Sequence, residues 1–347
     1  MAFILPPESK AQVRYAGKAI ADGTATEKDF DLVDQWRASH SYVINTFNVW
    51  LRRKIEASKI DAEFAQRLKR RNTVIDKLKR KKPDGSPLIR DVTTMQDLAG
   101  CRLIFQDIED LHSFRDFLLS SMENVNHKLK HEDRNKYNYI ERPKPTGYRG
   151  IHDVFLHYPR PHRRGDTTSS PWHGLMVEVQ YRTRAQHAWA TALEISDILD
   201  RQRTKFGYGD DERGNFFAMA SEIIARRHEK LTRSFSGLCD DDLEAEFNDM
   251  EASLGILQRL GAMRQFDKYG LLRKHNVLNI YLNDENEYAL DVEVFRNSQD
   301  AIARANELEE SEFSINAVYV TGEPKQLRSA YRNYFNDPVD FVALLQH

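Results

Sequence analysis

The spacing of apolar residues predicts helices at the start of the chain and strands in its middle. Between positions 8 and 78, apolar residues recur every three to four positions, which is the period of an amphipathic helix. Thr24 and Glu27 have the spacing of a capping box, so we expect a helix to begin there. Three short runs rich in β-branched and aromatic residues follow and predict a mixed sheet: 101–105, 151–157 and 175–181.

The second half of the chain returns to a helical period and then ends in a strand-rich unit. Residues 184–266 have the helical period, and the Pro-, Gly- and Ser-rich residues 159–173 predict a surface loop. The tail predicts two strands, a helix, a strand and a last helix, at 276–282, 288–295, 299–308, 317–320 and 324–334. We therefore predict an α+β chain with a mixed β-sheet flanked by helices and a small C-terminal β-β-α-β-α domain.

The predicted domain boundaries follow these changes of pattern. They give N-terminal helices over 1–60, a central domain over 61–270 and the C-terminal domain over 271–347.

No stretch approaches the roughly 20 apolar residues of a spanning helix, and no basic segment precedes the short apolar run at the start. Cys101 and Cys239 are too few for a disulfide framework or a four-thiolate zinc site. We expect a cytoplasmic protein without a membrane partner.

The net charge of −2 hides two segments of opposite charge. Residues 67–82 contain nine Lys or Arg and one acidic residue, whereas residues 276–347 contain thirteen Asp or Glu and five Lys or Arg. The basic segment predicts an anionic ligand, and the acidic tail carries the complementary charge.

The basic segment has the pattern of a polyphosphate site. If residues 67–69 are extended, Arg67 and Lys69 share one face, and Asn72 or Thr73 then caps a helix that carries Lys77. Guanidinium, ammonium and helix N–H groups would converge on phosphate oxygens. A continuous solvated helix is the alternative, because the apolar residues of this segment also fit a helical stripe.

Two carboxylates and one glycine-rich segment complete the candidate chemistry. Asp97 precedes a predicted strand and is either a turn residue or a magnesium ligand that acts together with substrate phosphates. Glu178 and Gln180 share one face of a strand, at a site or at a solvated edge. Tyr148, set among cations and glycines in residues 142–152, suits stacking on a base, although packing would also explain it.

Taken in order, these motifs resemble the synthetase domain of RelA/SpoT-type proteins. The matching residues are Arg67-x-Lys69, Thr73-Val-x-x-Lys77, Asp97-x-x-Gly-x-Arg102, Arg142-x-Lys144-x-x-Gly-Tyr148-x-x-x-His152 and Glu178-Val-Gln-x-Arg182-Thr. The resemblance implies a nucleotidyltransferase-like fold and a pyrophosphokinase that moves the β,γ-pyrophosphate of ATP to a ribose 3′-hydroxyl. Residues 131–133 lack the partners of a hydrolase motif, which implies a synthetase alone.

The same resemblance assigns roles to residues. It implies that the ATP-binding cations are Arg67, Lys69, Lys77 and Arg102. Asp97 and Glu178 would hold Mg²⁺, and Glu178 would also orient or deprotonate the attacking hydroxyl. The acceptor would lie among Lys144, Tyr148, His152 and Gln180. Gly150 stands where many alarmone synthetases have serine, and Tyr181 where an aliphatic residue is usual, which leaves the acceptor open.

The last predicted helix carries Tyr331 and Tyr334, which share one face and could simply pack on a sheet. Their placement is similar to that in the fused toxin–antitoxin CapRel group, which has a zinc-finger-like C-terminal regulatory domain without zinc ligands. That resemblance implies pyrophosphate transfer to the 3′ end of tRNA, inhibition of translation, and release of the closed enzyme by a phage structural protein such as the capsid protein. Tyr331 and Tyr334 would then occupy the ATP cleft near Arg67 and Arg102.

Two alternatives stay open from the sequence. The acceptor could instead be GDP, GTP or an adenosine nucleotide, as in a (p)ppGpp or (p)ppApp alarmone synthetase. The chain could also be a catalytically dead sensor or binding module, although the cations and both carboxylates of the motifs are present.

Overall fold

The structure is a computed structural model and describes most of the chain. The described residues are 3–82, 84–89, 91–124, 127–158, 170–199, 211–232, 234–262, 269–283, 288–311, 314–335 and 337–346. Most of the loop expected at 159–173 lies outside them.

Helices occur where the apolar period is helical, and also at the chain's end. Their bounds are α1 (Lys10–Asp22), α2 (Glu27–Ser58), α3 (Arg71–Lys79), α4 (Ile108–Ser120), α5 (Arg184–Leu199), α6 (Asp211–Ile224), α7 (Asp240–Leu254), α8 (Ile256–Gly261), α9 (Ser298–Glu310), α10 (Pro324–Ala330) and α11 (Val339–Gln346). None of these described helices has the length and apolar character needed to cross a bilayer.

The strands form one mixed sheet. Their bounds are β1 (Ala62–Leu68), β2 (Ala99–Phe105), β3 (Lys128–Leu129), β4 (Ile151–Leu156), β5 (Met176–Thr183), β6 (His275–Leu282), β7 (Tyr288–Phe295) and β8 (Ser314–Thr321). The order across the sheet is β3-β4-β5-β2-β1-β8-β6-β7, with β2 and β5 parallel and the other pairs antiparallel. The predicted mixed sheet with flanking helices is confirmed.

The C-terminal strands continue the sheet that the central strands begin. β8 pairs with β1 through Gln66–Thr321 and Arg67–Val320. Tyr331, Tyr334 and Phe335 are buried in the apolar cluster that includes this part of the sheet. The division into a central and a C-terminal domain stays a prediction, but β1 joins the two segments.

The first capping box lies two residues later than predicted. The side chain of Asp29 accepts hydrogen bonds from the N–H of Thr26 at 2.8 Å and from the Thr26 hydroxyl at 2.7 Å. Thr26 is the N-cap, and α2 begins directly after it. Gly23 ends α1 in the left-handed conformation, with φ 74°. Thr24 therefore belongs to the end of α1, where its N–H bonds back to the helix, and it cannot also cap α2 with Glu27.

Residues 8–78 are not one helical region, because β1 interrupts them. Lys59 ends α2 with φ 60°, and β1 and α3 follow as a strand-to-helix junction. The alternative of a continuous solvated helix is therefore wrong. The expected cap by Asn72 or Thr73 is also wrong. Arg70 occupies the N-cap position of α3 with extended backbone angles, and its side chain does not cap the helix.

The expected last helix is shorter than predicted, and another helix follows it. α10 ends at Ala330, Tyr331 follows as its C-cap, and residues 332–335 form a 3₁₀ turn. The sequence analysis missed α11, whose Phe341 is buried and lies 5.9 Å from the ring of Phe217 in α6. Pro338 directly precedes α11 and is the signal that could have shown its start.

Candidate active site

A cleft of about 1120 Å³ gathers every residue that the sequence analysis assigned to the site. Its lining includes Arg67, Lys69, Lys77, Asp97, Arg102, Lys144, Tyr148, His152, Glu178, Gln180, Tyr331 and Tyr334. These residues come from four strands of the central segment (β1, β2, β4 and β5), from the loops next to these strands, from α3 and from the C-terminal segment.

Strand register explains why residues so distant in sequence meet. Arg67 on β1 stands opposite Gly100 on β2, which stands opposite Glu178 on β5. The next row on the same face lies two residues farther along and consists of Arg102, Gln180 and His152. The absence of a side chain at Gly100 leaves space between the cation of Arg67 and the carboxylate of Glu178.

Asp97 is held between two lysines just before β2. Lys69 Nζ lies 2.7 Å from Asp97 Oδ2, and Lys77 Nζ lies 3.1 Å from the same oxygen. Burial opposes the charge of Asp97, but the two lysines hold the pKa of its carboxyl well below the usual range. Burial lowers the pKa of Lys69 to about 8, against the attraction of Asp97. The junction of β1 and α3 thus directs two cations at one carboxylate.

Arg102 lies deeper in the cleft and contacts the C-terminal segment. Its Nη1 donates a hydrogen bond of 2.9 Å to the carbonyl oxygen of Ala330, at the end of α10. Burial lowers its pKa to about 10, and the neighbouring guanidinium groups of Arg182 and Arg67 act in the same direction. Glu194, a carboxylate that also lines the cleft, favours the charged forms of Arg102 and Arg67, so an anionic side chain already lies near two of these arginines.

A chain of hydrogen bonds runs across the other half of the cleft. The hydroxyl of Tyr148 lies 2.5 Å from His152 Nε2, and His152 Nδ1 lies 3.0 Å from Glu178 Oε1. Gln180 donates to Glu178 Oε2 at 2.6 Å, and Arg182 donates to the Tyr148 hydroxyl at 3.1 Å. Sequence reasoning gave Arg182 no role, although it lies within the quoted motif.

The charges of His152 and Glu178 in this chain of hydrogen bonds are determined by neighbouring groups. Burial lowers the pKa of His152, but Tyr148 and Glu178 outweigh it and raise that pKa to about 9. Burial likewise raises the pKa of Glu178, and His152 outweighs it and lowers the value to about 2. An ionised carboxylate of such low basicity is better suited to orienting a hydroxyl or holding a cation than to removing a proton.

The ring of Tyr148 is covered by cations in this structure. Lys144 Nζ lies 4.9 Å from the centre of the Tyr148 ring, and the guanidinium carbon of Arg182 lies 5.1 Å from it. Lys144 also lies 4.4 Å from the ring of Tyr139, a cleft residue that the sequence analysis did not find. The predicted stacking of Tyr148 on a base stays a prediction.

The backbone conformation at position 150 explains why this residue is a glycine. Its φ is +144°, a conformation that residues with a side chain rarely adopt. A Cβ there would lie 3.2 Å from the hydroxyl of Tyr148 and 3.2 Å from the carbonyl oxygen of Tyr181. The departure from serine at this position therefore accompanies a tight approach of the turn to Tyr148.

Tyr331 and Tyr334 reach the cleft from the C-terminal segment, and both are 3% exposed. The hydroxyl of Tyr331 donates to the carbonyl oxygen of Gln66 in β1 at 2.7 Å. The hydroxyl of Tyr334 donates to Asn316 Oδ1 at 2.9 Å. Tyr331 lies near Arg102 and Arg67, and Tyr334 lies near Arg70 and Arg67. That they occupy an ATP cleft and regulate it stays a prediction.

Asp97 and Glu178, two of the six carboxylates that line the cleft, fit a divalent cation that is bound together with phosphates. Among the described residues, no group of three or more His, Cys, Asp or Glu side chains could hold a metal ion unaided. Asp97 and Glu178 both line the cleft, and Asp97 disfavours the charge on Glu178, as expected of nearby carboxylates. Mg²⁺ commonly uses one or two carboxylates plus substrate phosphates, so this donor set fits it.

Comparison with known proteins identifies the central segment. Residues 66–196 match the family described as the region found in RelA/SpoT proteins. A GTP pyrophosphokinase of Bacillus subtilis, YjbM, is 32% identical over 119 residues, which is 34% of this chain and 48% of that protein. The chain thus spans about half the length of this curated relative.

Two solved structures are also similar. Small alarmone synthetase 1 from Bacillus subtilis bound to pppGpp has a TM-score of 0.45 and 21% identity, over 58% of this chain and 94% of that one. A GTP pyrophosphokinase family protein from Streptococcus pneumoniae has a TM-score of 0.41 and 19% identity, over 60% and 93%. The assignment rests on the sequence matches. Residues 66–196 of this chain therefore belong to the RelA/SpoT family.

Proposed function

We propose that this chain is a pyrophosphokinase that transfers the β,γ-pyrophosphate of ATP to a ribose 3′-hydroxyl. The observation that carries the proposal is the single cleft in which Lys69, Lys77 and two arginines face the carboxylates of Asp97 and Glu178. Transfer of a phosphoryl-type group depends chiefly on charge neutralisation and in-line positioning. This set of residues supplies both.

The donor side of the cleft would bind ATP. Lys69 and Lys77 would move from Asp97 to the phosphates, and Arg67 and Arg102 would neutralise the remaining charge. Asp97 would then be available, together with Glu178, to hold Mg²⁺. When bound, Mg²⁺ would supply further charge neutralisation on the transferred group.

The acceptor side would orient the hydroxyl. Glu178 would accept its hydrogen bond, with the carboxylate held in place by His152 and Gln180. The 3′ oxygen would form a bond to the β-phosphorus while the bond from that phosphorus to the α–β bridging oxygen breaks. AMP leaves with the bridging oxygen, and the hydroxyl proton is lost to solvent. Lys144 and Tyr148 would contact the acceptor's base.

The proposed acceptor is the 3′-terminal adenosine of tRNA, which would stop translation in the cytoplasm. The position of Tyr331 and Tyr334 in the cleft supports this choice, because the group of enzymes that the sequence resembles uses such a pair to control a toxic synthetase. The C-terminal segment would keep the enzyme closed, and a phage structural protein such as the capsid protein would release it as an antiviral response.

Alarmone synthesis is the second candidate, with GDP, GTP or an adenosine nucleotide as acceptor. The curated relative is named a GTP pyrophosphokinase, which favours a nucleotide acceptor. Both candidates use the same donor chemistry and differ only in the molecule that receives the label.

The test measures which acceptor becomes labelled from γ-labelled ATP. Purified wild type and the Tyr331→Ala/Tyr334→Ala variant are incubated with deacylated tRNA, GDP or ATP, with Tyr281→Ala as a matched control because Tyr281 is a half-buried tyrosine of the C-terminal segment outside the cleft. We expect the double variant alone to label tRNA. Label on GDP or ATP alone would favour alarmone synthesis, and no label on any acceptor would count against catalysis.

A further inference from the structure

A second contact of the C-terminal segment with the cleft lies at the beginning of α3 and comes from α9 rather than from the tyrosines. Glu309 Oε2 accepts a hydrogen bond of 2.9 Å from the backbone N–H of Asn72. The side-chain amide of Asn72 in turn donates 2.6 Å to the carbonyl oxygen of Glu309. Both residues line the cleft, so a carboxylate of the tail is fixed inside the proposed ATP site.

The beginning of α3 is chemically an anion site. Asn72 is the second residue of this nine-residue helix, and no side-chain cap comes from its N-cap residue Arg70. The N–H groups of the first turn of a helix attract negative charge. Glu309 supplies the missing acceptor from the far end of the chain.

A buried and a half-buried cation, Arg37 and Arg70, lie near the Glu309 carboxylate. Burial raises its pKa, while Arg37, the N–H of Asn72 and Arg70 favour the charged form, in that order. Arg37 is 3% exposed and donates 2.9 Å to the carbonyl oxygen of Lys69, which fixes it under the junction of β1 and α3. Its Nε makes no hydrogen bond within the described residues, but it lies 4.0 Å from Asp34 Oδ1. A cation buried this deeply requires an anion beside it, and Glu309 and Asp34 both favour the charged form of Arg37.

Residue Asn306 couples this cation to the same helix of the tail. Arg37 Nη2 bonds to the side-chain oxygen of Asn306, one turn before Glu309 on α9. Arg70 Nη1 bonds to the side-chain oxygen of Asn316 on β8. Both arginines therefore donate hydrogen bonds to the C-terminal segment. A phosphate group could accept the same hydrogen bonds.

We propose that Arg37, Arg70 and the Asn72 N–H form a phosphate subsite, and that Glu309 fills this subsite with its carboxylate in the closed state. The ligand in the open state is one phosphate group, either of the ATP triphosphate or of the backbone of an RNA acceptor. This inference rests on the proposed function in one respect, namely that the C-terminal segment can leave the cleft. Glu309 would compete at the beginning of α3, next to the tyrosine contact, because Asn316 Oδ1 accepts hydrogen bonds from both Arg70 and Tyr334.

The test measures binding by the full-length protein, without any turnover. Glu309→Gln and Glu309→Ala are titrated calorimetrically with inorganic tripolyphosphate, with ATP and with a short single-stranded RNA ending in CCA. The matched control is Glu307→Gln, because Glu307 lies on the same helix but is exposed and pairs with Arg304 at 3.1 Å. It removes the same charge without touching the subsite.

We expect tripolyphosphate and ATP to bind about tenfold more tightly to both Glu309 variants, since a charge-assisted competitor is removed, and Glu307→Gln to bind like wild type. Tightening for the RNA alone would assign the subsite to a backbone phosphate. Arg70→Gln added to Glu309→Ala should abolish the gain. Unchanged affinity for all three probes in both Glu309 variants, with unchanged thermal unfolding, would overturn the subsite.

These outcomes are separable from failure of the proposed function. A Tyr331→Ala/Tyr334→Ala variant that transfers no label would refute the pyrophosphokinase, yet the gain in tripolyphosphate affinity on removing Glu309 would still establish the subsite. Conversely, an active tyrosine variant combined with unchanged affinity in the Glu309 variants would refute the subsite alone.

Discussion

The hydroxyl groups of Tyr331 and Tyr334 give a quantitative test of how firmly the C-terminal segment is held. Each hydroxyl makes one buried hydrogen bond, to the Gln66 carbonyl oxygen at 2.7 Å and to Asn316 Oδ1 at 2.9 Å. Substitution of both tyrosines by phenylalanine removes these bonds and keeps the rings. Only the Tyr331 bond joins the C-terminal segment to the central one, because Asn316 lies on β8 in the same segment as Tyr334. A hydrogen bond of this kind contributes about 1 kcal/mol net, so the double substitution costs the closed state about 1 kcal/mol.

This loss changes the apparent affinity for ATP. A shift of about 1 kcal/mol raises the ratio of open to closed molecules roughly fivefold. A ligand that binds only the open form has its affinity reduced by the open fraction. As long as the closed form predominates, ATP should therefore bind the doubly substituted protein roughly fivefold more tightly than wild type.

Calorimetric titration of full-length protein with ATP measures this shift directly. Tyr281→Phe is the control, because it removes a hydroxyl from the same segment outside the cleft. An ATP affinity that is the same in wild type and in the doubly substituted protein, while both unfold at the same temperature, would refute the closed-state reasoning.

Two further predictions concern chemistry and pH. Asp97→Asn and Glu178→Gln should each reduce label transfer by the Tyr331→Ala/Tyr334→Ala enzyme to background; substantial transfer by either would remove that residue from the mechanism. His40, His127 and His157 are buried, and burial lowers the pKa of each to about 4. Between pH 6.5 and 4 the unfolded state therefore binds more protons than the folded state. As the pH decreases through this range, the free energy of unfolding should fall by up to about 1.4 kcal/mol per pH unit for each histidine. Denaturant unfolding at a series of pH values across this range measures the change. A free energy of unfolding that does not vary with pH would contradict the burial of these histidines in their neutral form.

The sequence predicted which residues line the cleft better than it predicted the boundaries of helices, and their roles stay predictions. Arg67 and Glu178 lie on β1 and β5, which flank β2 in the sheet, and Lys69 and Asp97 lie next to the ends of β1 and β2. Local pattern was therefore sufficient to collect the cleft residues.

The interactions that sequence analysis missed depend on chain segments far apart. The cap of α3 comes from Glu309, and no local pattern around Asn72 announces an acceptor from α9. The hydrogen bond between Tyr148 and His152 likewise depends on the turn at Gly150 rather than on spacing alone. Such contacts are decided by tertiary packing, which outweighs local preference.

The uneven pairing of β1 makes one seam of the sheet much easier to open than its neighbours. On one side β1 pairs with β2 along its full length, from Ala62 to Leu68. On the other side it meets β8 only at Gln66 and Arg67. Parting the sheet there would break very little backbone pairing and would leave a short unpaired edge rather than a long aggregation-prone one. Withdrawal of the tail would therefore be opposed chiefly by its buried side chains, such as Tyr331 and Phe341, rather than by backbone pairing at this seam.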